Sequence, residues 1–96
     1  METQKTISDW ADAVGITSDP HRAVKRAGEE LQEALDDLDA GRMSNAAVEL
    51  ADVVICLHVA ASKMGVDLQN EIDAKMKINR ARQWRLDATG CAYHVK

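Results

Sequence analysis

Phenylalanine is absent from the sequence, and two tryptophans and one tyrosine are its whole aromatic content. A core without rings must be built from Leu, Val, Ile, Ala and Met, a palette that suits closely packed helices. Only two cysteines occur, Cys56 and Cys91, and they lack metal-ligand spacing, which argues against a thiolate site and predicts free thiols rather than a disulfide. No broad positive charge is available: the formal net charge is −4, so neither nucleic acid nor an anionic membrane is an expected partner. The opening METQKTISDW lacks the apolar core of a secretory signal, and no apolar run reads as long enough to span a bilayer. The expected location is cytoplasmic. Alternating strand patterns, repeats and low-complexity segments are missing as well.

What remains is helical. Ninety-six residues make one domain, 1–96, able to form a modest core, to which oligomerisation would add. Ile7, Trp10, Ala11 and Val14 predict a short helix over 4–14 that stops at Gly15. The lone proline, Pro20, follows Asp19 and opens a second helix, with Asp as cap and Pro at the first position. Val24, Ala27, Leu31, Leu35 and Leu38 recur along it as a core stripe, and Gly41 ends it. Ser44 or Asn45 can cap a third helix that runs to Gly65, and Asp67 a fourth with Leu68, Ile72 and Met76. The last dozen residues, RLDATGCAYHVK, predict an irregular tail around Gly90. The fold class is all-α: an antiparallel four-helix bundle with a short first helix and three longer ones.

Within the third helix, residues 46–61 read AAVELADVVICLHVAA, with Glu49 and Asp52 inside an otherwise apolar stretch. Burying unpaired carboxylates costs several kcal/mol or forces protonation, on the order of what a small domain has to spare, so the pair calls for a cation. Glu30 and Glu33 form a second i, i+3 pair on the preceding helix. Either pair alone is usually a solvated face. Together on neighbouring antiparallel helices they make a four-carboxylate site, and hard oxygen ligands favour Mg²⁺ or Mn²⁺ over zinc. Lys75, Asn79 and Arg82 cluster on one side of the fourth helix and suit phosphate oxygens. Trp10 is expected in the core, Trp84 as an anchor of the tail on the bundle, and His58 on the far side of its helix from Glu49.

The order E-x-x-E (Glu30, Glu33), E-x-x-D (Glu49, Asp52), G-x-D-L (Gly65 to Leu68) and K-M-x-x-N-x-x-R (Lys75 to Arg82) resembles the MazG-like nucleoside triphosphate pyrophosphohydrolases. The resemblance implies an all-α enzyme that converts an NTP, or rather a dNTP, and water to the monophosphate and pyrophosphate using Mg²⁺, as in nucleotide-pool cleaning. It implies Glu30, Glu33, Glu49 and Asp52 as metal ligands, Lys75 and Asn79 as phosphate-binding residues with Arg82 added, and a homodimer or homotetramer. Glu30 is the named candidate to orient the attacking water; Arg26 is not counted in the site. Two alternatives stay open, a non-catalytic helical interaction module with an acidic face and a phosphoribosyl-ATP pyrophosphohydrolase.

Overall fold

The computed structural model describes residues 1–17 and 19–95. In chain order these form α1 (Gln4–Ala13), α2 (Pro20–Asp39), α3 (Met43–Lys63), α4 (Leu68–Ala81) and an antiparallel hairpin of β1 (Gln83–Leu86) and β2 (Ala92–Val95). Local chemistry sets most boundaries. The Asp19 carboxylate accepts the Arg22 N–H at 2.8 Å with Pro20 beside it, and Asp67 accepts the Asn70 N–H at 3.1 Å. Gly41 turns the chain between α2 and α3 at φ 75°, a conformation that L side chains disfavour. Neither Ser44 nor Asn45 caps α3. The chain re-enters the helix at Met43, two residues past Gly41, and the link is held by Arg42, whose N–H donates to the Asp37 carbonyl and whose Nε donates to the Asp37 carboxylate at 2.9 Å.

The tail differs from the expectation too, since it is a hairpin rather than irregular chain. Its turn is closed by Asp87, whose carboxylate accepts from the Thr89 N–H, the Thr89 hydroxyl and the Cys91 N–H. Those bonds hold the Asp87 carboxyl below its usual range.

The core is a seam of small residues. Ala23, Ala27 and Ala34 of α2 are buried with Ala46, Val59, Ala60 and Ala61 of α3, and Ala11 of α1 closes one end with Ile7 and Ile16 packed against it. Of the predicted α2 stripe only Ala27 is inside; Val24, Leu31, Leu35 and Leu38 remain 44–51% exposed. By the helix period the alanines and Glu30 share the side that meets α3, which turns the leucines onto a flank. α3 is also, by length and composition, apolar enough to cross a membrane, against the expectation above; here it is the central helix, packed by both α1 and α2.

α4 has no buried residue and packs only sparsely against the other three helices. Its departure point is fixed by one side chain of α1. Gln4 Oε1 accepts the Leu68 N–H at 2.8 Å, Gln4 Nε2 donates to the Val66 carbonyl at 2.7 Å, and His58 Nδ1 lies 3.3 Å from the same Oε1. Gln4→Ala strands these part-buried groups and is expected to cost about 1–3 kcal/mol, read from urea unfolding, with faster amide exchange at Leu68.

Candidate active site

Glu30, Glu49 and Asp52 each offer a carboxylate oxygen within 4.8 Å of the others. The helices explain the convergence. Glu30 projects from the alanine side of α2 between Ala27 and Ala34 and is 5% exposed, while Glu49 and Asp52 sit one turn apart on the facing part of α3. Glu49 is half-buried, with one carboxylate oxygen shielded from solvent and without a hydrogen-bond partner. Glu33 is exposed, one turn on from Glu30, and is not among the three acids that converge.

Carboxylates this close repel one another. Hydrogen bonding to Glu30, then to Glu33, then burial and repulsion push the Glu49 carboxyl up to about 7. The Glu49 proton in turn holds Glu30 below its usual range, helped by the bond to Glu33 and the Arg26 charge and opposed by burial. The raised Glu49 carboxyl marks a place where a cation would relieve the repulsion. The donor set is all oxygen, and the shielded Glu49 oxygen lacks a partner. Both features fit a hard divalent ion.

Arg26, left out of the site on sequence grounds, belongs at its edge: Nη2 lies 2.6 Å from Glu30 and Nη1 3.1 Å from Glu29. Its i, i+4 spacing to Glu30 was the available signal. Beside it opens a cavity of about 380 Å³ that runs from Arg26, Glu30 and Asp52 to an apolar wall of Trp10, Ile16, Ile55, Cys56 and Val59. Trp10 is therefore not a core residue. It is half-exposed and presents its indole at the cavity, because α1 buries Ala11 instead. Burial, with the Glu30 charge behind it, raises the Cys56 thiol, so that wall is not a reactive one.

The structure does not bring the fourth helix's residues to the acids. Among the described residues, Lys75, Asn79 and Arg82 line no part of this cavity and make no ion pair or hydrogen bond to a carboxylate. Asn79 keeps its carboxamide oxygen shielded and unpartnered. Trp84 anchors the tail, but to α4: its Nε1 donates to the Asn79 carbonyl at 2.7 Å, and its ring lies 6.1 Å from that of His94. His58 is held by Gln4, away from the acids as expected.

Glu30, Glu49 and Asp52, three helical carboxylates that could hold a divalent metal, stand in an all-α protein beside a largely apolar cavity. Comparison with known proteins narrows the class. No family model matches the chain. A dATP/dGTP diphosphohydrolase of Cyanophage S-2L is 31% identical over 94 residues, which cover 98% of this chain and 86% of that protein. A dATP/dGTP diphosphohydrolase of Salmonella phage PMBT28 is 35% identical over 94 residues, and there the chain spans only 31% of the relative's length. A solved structure, the Cyanophage S-2L MazG-like pyrophosphohydrolase bound to dGDP and three catalytic Mn²⁺ ions per active site, superposes with a TM-score of 0.75 at 29% identity, covering 97% of this chain and 92% of that one. The chain belongs to the MazG-like pyrophosphohydrolase family, metal-dependent hydrolases of phosphoric anhydrides.

Proposed function

We propose that the protein hydrolyses a purine deoxynucleoside triphosphate to the monophosphate and pyrophosphate, with Mg²⁺ or Mn²⁺ held by Glu30, Glu33, Glu49 and Asp52. The observation that carries this is the convergence of Glu30, Glu49 and Asp52, of which Glu30 and Asp52 line a cavity walled by Trp10. The relatives' purine deoxynucleotides support the choice of substrate. An indole plane supports it as well, since it stacks on a base of either purine type.

When bound, the metal neutralises charge on the phosphoryl oxygens and acidifies the attacking water. The chain's own residues do the rest. Hydrogen bonding to Glu49, then to Glu33, with the Arg26 charge beside it, holds the Glu30 carboxyl below its usual range, which suits a ligand more than a proton carrier. Glu33, exposed at the rim, is better placed than Glu30 to orient the water and take its proton. Water oxygen bonds to the α phosphorus, the bond from the α phosphorus to the bridging oxygen breaks, and pyrophosphate leaves. Ile16, Ile55 and Val59 keep bulk water from the far end of the cavity, where the base would lie against Trp10. Open apolar flanks, Leu31, Leu35 and Leu38 on α2 with Leu50 and Val54 on α3, support a homodimer or a pair of dimers.

The test is pyrophosphate release across the common NTPs and dNTPs with Mg²⁺ and with Mn²⁺. Release from dATP or dGTP is expected, and silence across the panel with both metals would falsify the proposal. Trp10→Ala is expected to raise KM about tenfold with kcat little changed, since lost stacking of about 1–3 kcal/mol weakens binding of ground and transition states alike.

A further inference from the structure

We propose that Arg26 is a substrate-binding residue that changes partners: in the metal-free protein its guanidinium neutralises Glu30, and once a divalent ion supplies that charge the guanidinium turns to the phosphates of the nucleotide. This rests on the pyrophosphohydrolase reading above and adds the order in which the site is filled.

The pairing that Arg26 makes is unequal. Nη2 lies 2.6 Å from Glu30 Oε1 and Nη1 3.1 Å from Glu29 Oε2, yet the Arg26 side chain is 60% exposed while that of Glu30 is 7% exposed. A nearly buried carboxylate needs a counter-charge, and among the described residues Arg26 is the only ion-pair partner of Glu30. Glu30 is also one of the three acids that could hold a metal. One carboxylate thus faces two candidates for the same charge. With a divalent ion in place Glu30 has no need of Arg26, and a guanidinium left 2.6 Å from a metal ligand would repel the ion whichever oxygen the ion took.

The side chain has room to leave and somewhere to go. Arg26 borders two openings, the cavity of Glu30, Asp52 and Trp10 and a second of about 330 Å³ that it lines with Arg22, Lys25 and Glu29. Arg22 and Lys25 make that second opening attractive to an anion rather than to a third cation. What remains for Arg26 without phosphate is the exposed Glu29, in a pair that solvent screens. A phosphate offers the guanidinium two oxygens at once, in the geometry of its fork. Among the described residues Arg26 is also the only cation that lines the cavity of the acids, so no other group along that wall competes for the role.

Metal and nucleotide are then coupled through one side chain. The coupling is reciprocal: a nucleotide that draws Arg26 away from Glu30 tightens the metal by the same factor as the metal tightens the nucleotide.

Calorimetry on Arg26→Met tests this without turnover. In the absence of nucleotide, Mn²⁺ is expected to bind the variant about two- to fivefold more tightly than wild type, the size of a screened ion pair. At saturating Mn²⁺, the non-cleavable α,β-methylene analogue of dGTP is expected to bind the variant at least about tenfold more weakly, the size of a lost charged hydrogen bond. Arg26→Lys, which keeps the charge and loses the fork, is expected to restore wild-type metal affinity and only part of the nucleotide affinity. A residue that merely held Glu30 in position would weaken both ligands when replaced. A fall or no change in Mn²⁺ affinity therefore overturns the proposal, and so does unchanged binding of the analogue. Failure of the pyrophosphohydrolase reading is distinct, because it shows in the wild type as no pyrophosphate release from any dNTP. A wild type that binds neither Mn²⁺ nor the analogue overturns both.

Nitrogen-15 spectra follow the side chain directly. The Arg26 Nε–H signal, identified by its loss in Arg26→Met, is expected to move on addition of Mg²⁺ and again on addition of the analogue. A signal that Mg²⁺ leaves unmoved means that Glu30 keeps the guanidinium and the change of partner is wrong.

Discussion

Glu49→Gln is expected to lower turnover at least about 100-fold, because loss of a mere outer partner of a metal ligand already costs about 10–100-fold. The same substitution is expected to leave the metal-free fold intact and, at pH 8, to stabilise it. Gln has the shape of the protonated acid, and at pH 8 the native carboxyl, with its pKa near 7, is ionised against Glu30 and Glu33. An alanine at this position would confound the two effects by opening a cavity. Pyrophosphate assays and thermal melts of the variant, each with and without Mn²⁺, check both halves. Unchanged turnover would remove Glu49 from the site.

Metal uptake is expected to depend steeply on acidity. A cation must displace the Glu49 proton, whose pKa is about 7, so its apparent affinity falls as the pH drops, approaching about tenfold per pH unit well below 7 and amounting to about 50-fold between pH 7 and pH 5. Without metal the trend in stability is reversed. The folded state holds a proton, with a pKa of about 7, that the unfolded chain releases near 4.5. That contribution is therefore full below pH 4.5, declines as the pH rises, and is gone above about 7. Glu30, whose carboxyl is lowered, contributes in the other sense: its share is present above the ordinary carboxylate range and lost as the solution becomes more acid than that. Calorimetric titration with Mn²⁺ from pH 5 to 8 measures the first trend, and melting of chelator-treated protein measures the second. A flat affinity profile would mean that no proton is exchanged for the metal.

Much of this was legible in the sequence because it is local. Asp19 before Pro20, Gly41, Gly65 and Asp67 mark helix ends through bonds and backbone angles within a few residues of themselves. Glu49 and Asp52 announced themselves as charges in an apolar run, and they converge with Glu30. The face that α2 turns inward was not legible. Leucine and alanine stripes both follow the helix period, and periodicity alone cannot show that the alanines meet α3 while Leu31, Leu35 and Leu38 stay outside. Trp10 was misplaced for the same reason: helical spacing put it beside Ala11, and only packing shows which of the two goes in. The hairpin escaped because strands of four residues carry too little alternation, although D-x-T-G at Asp87 to Gly90 held a turn signal. α4 shows the remaining limit. An amphipathic helix announces that it needs a surface and says nothing of where that surface lies.

The alanine seam sets the bite of the proposed metal site. Helices pack about 8 to 10 Å apart according to the side chains between them, and methyl groups hold the axes at the near end of that range. Ala27 and Ala34 bracket Glu30, and Ala46 lies one turn before Glu49, so the gap between facing carboxylates is gauged by residues that never touch an ion. A larger side chain at Ala27 or Ala46 would spread the jaws without altering a single ligand. On the proposed reading, a preference among divalent ions by radius would depend partly on the protein's smallest side chains.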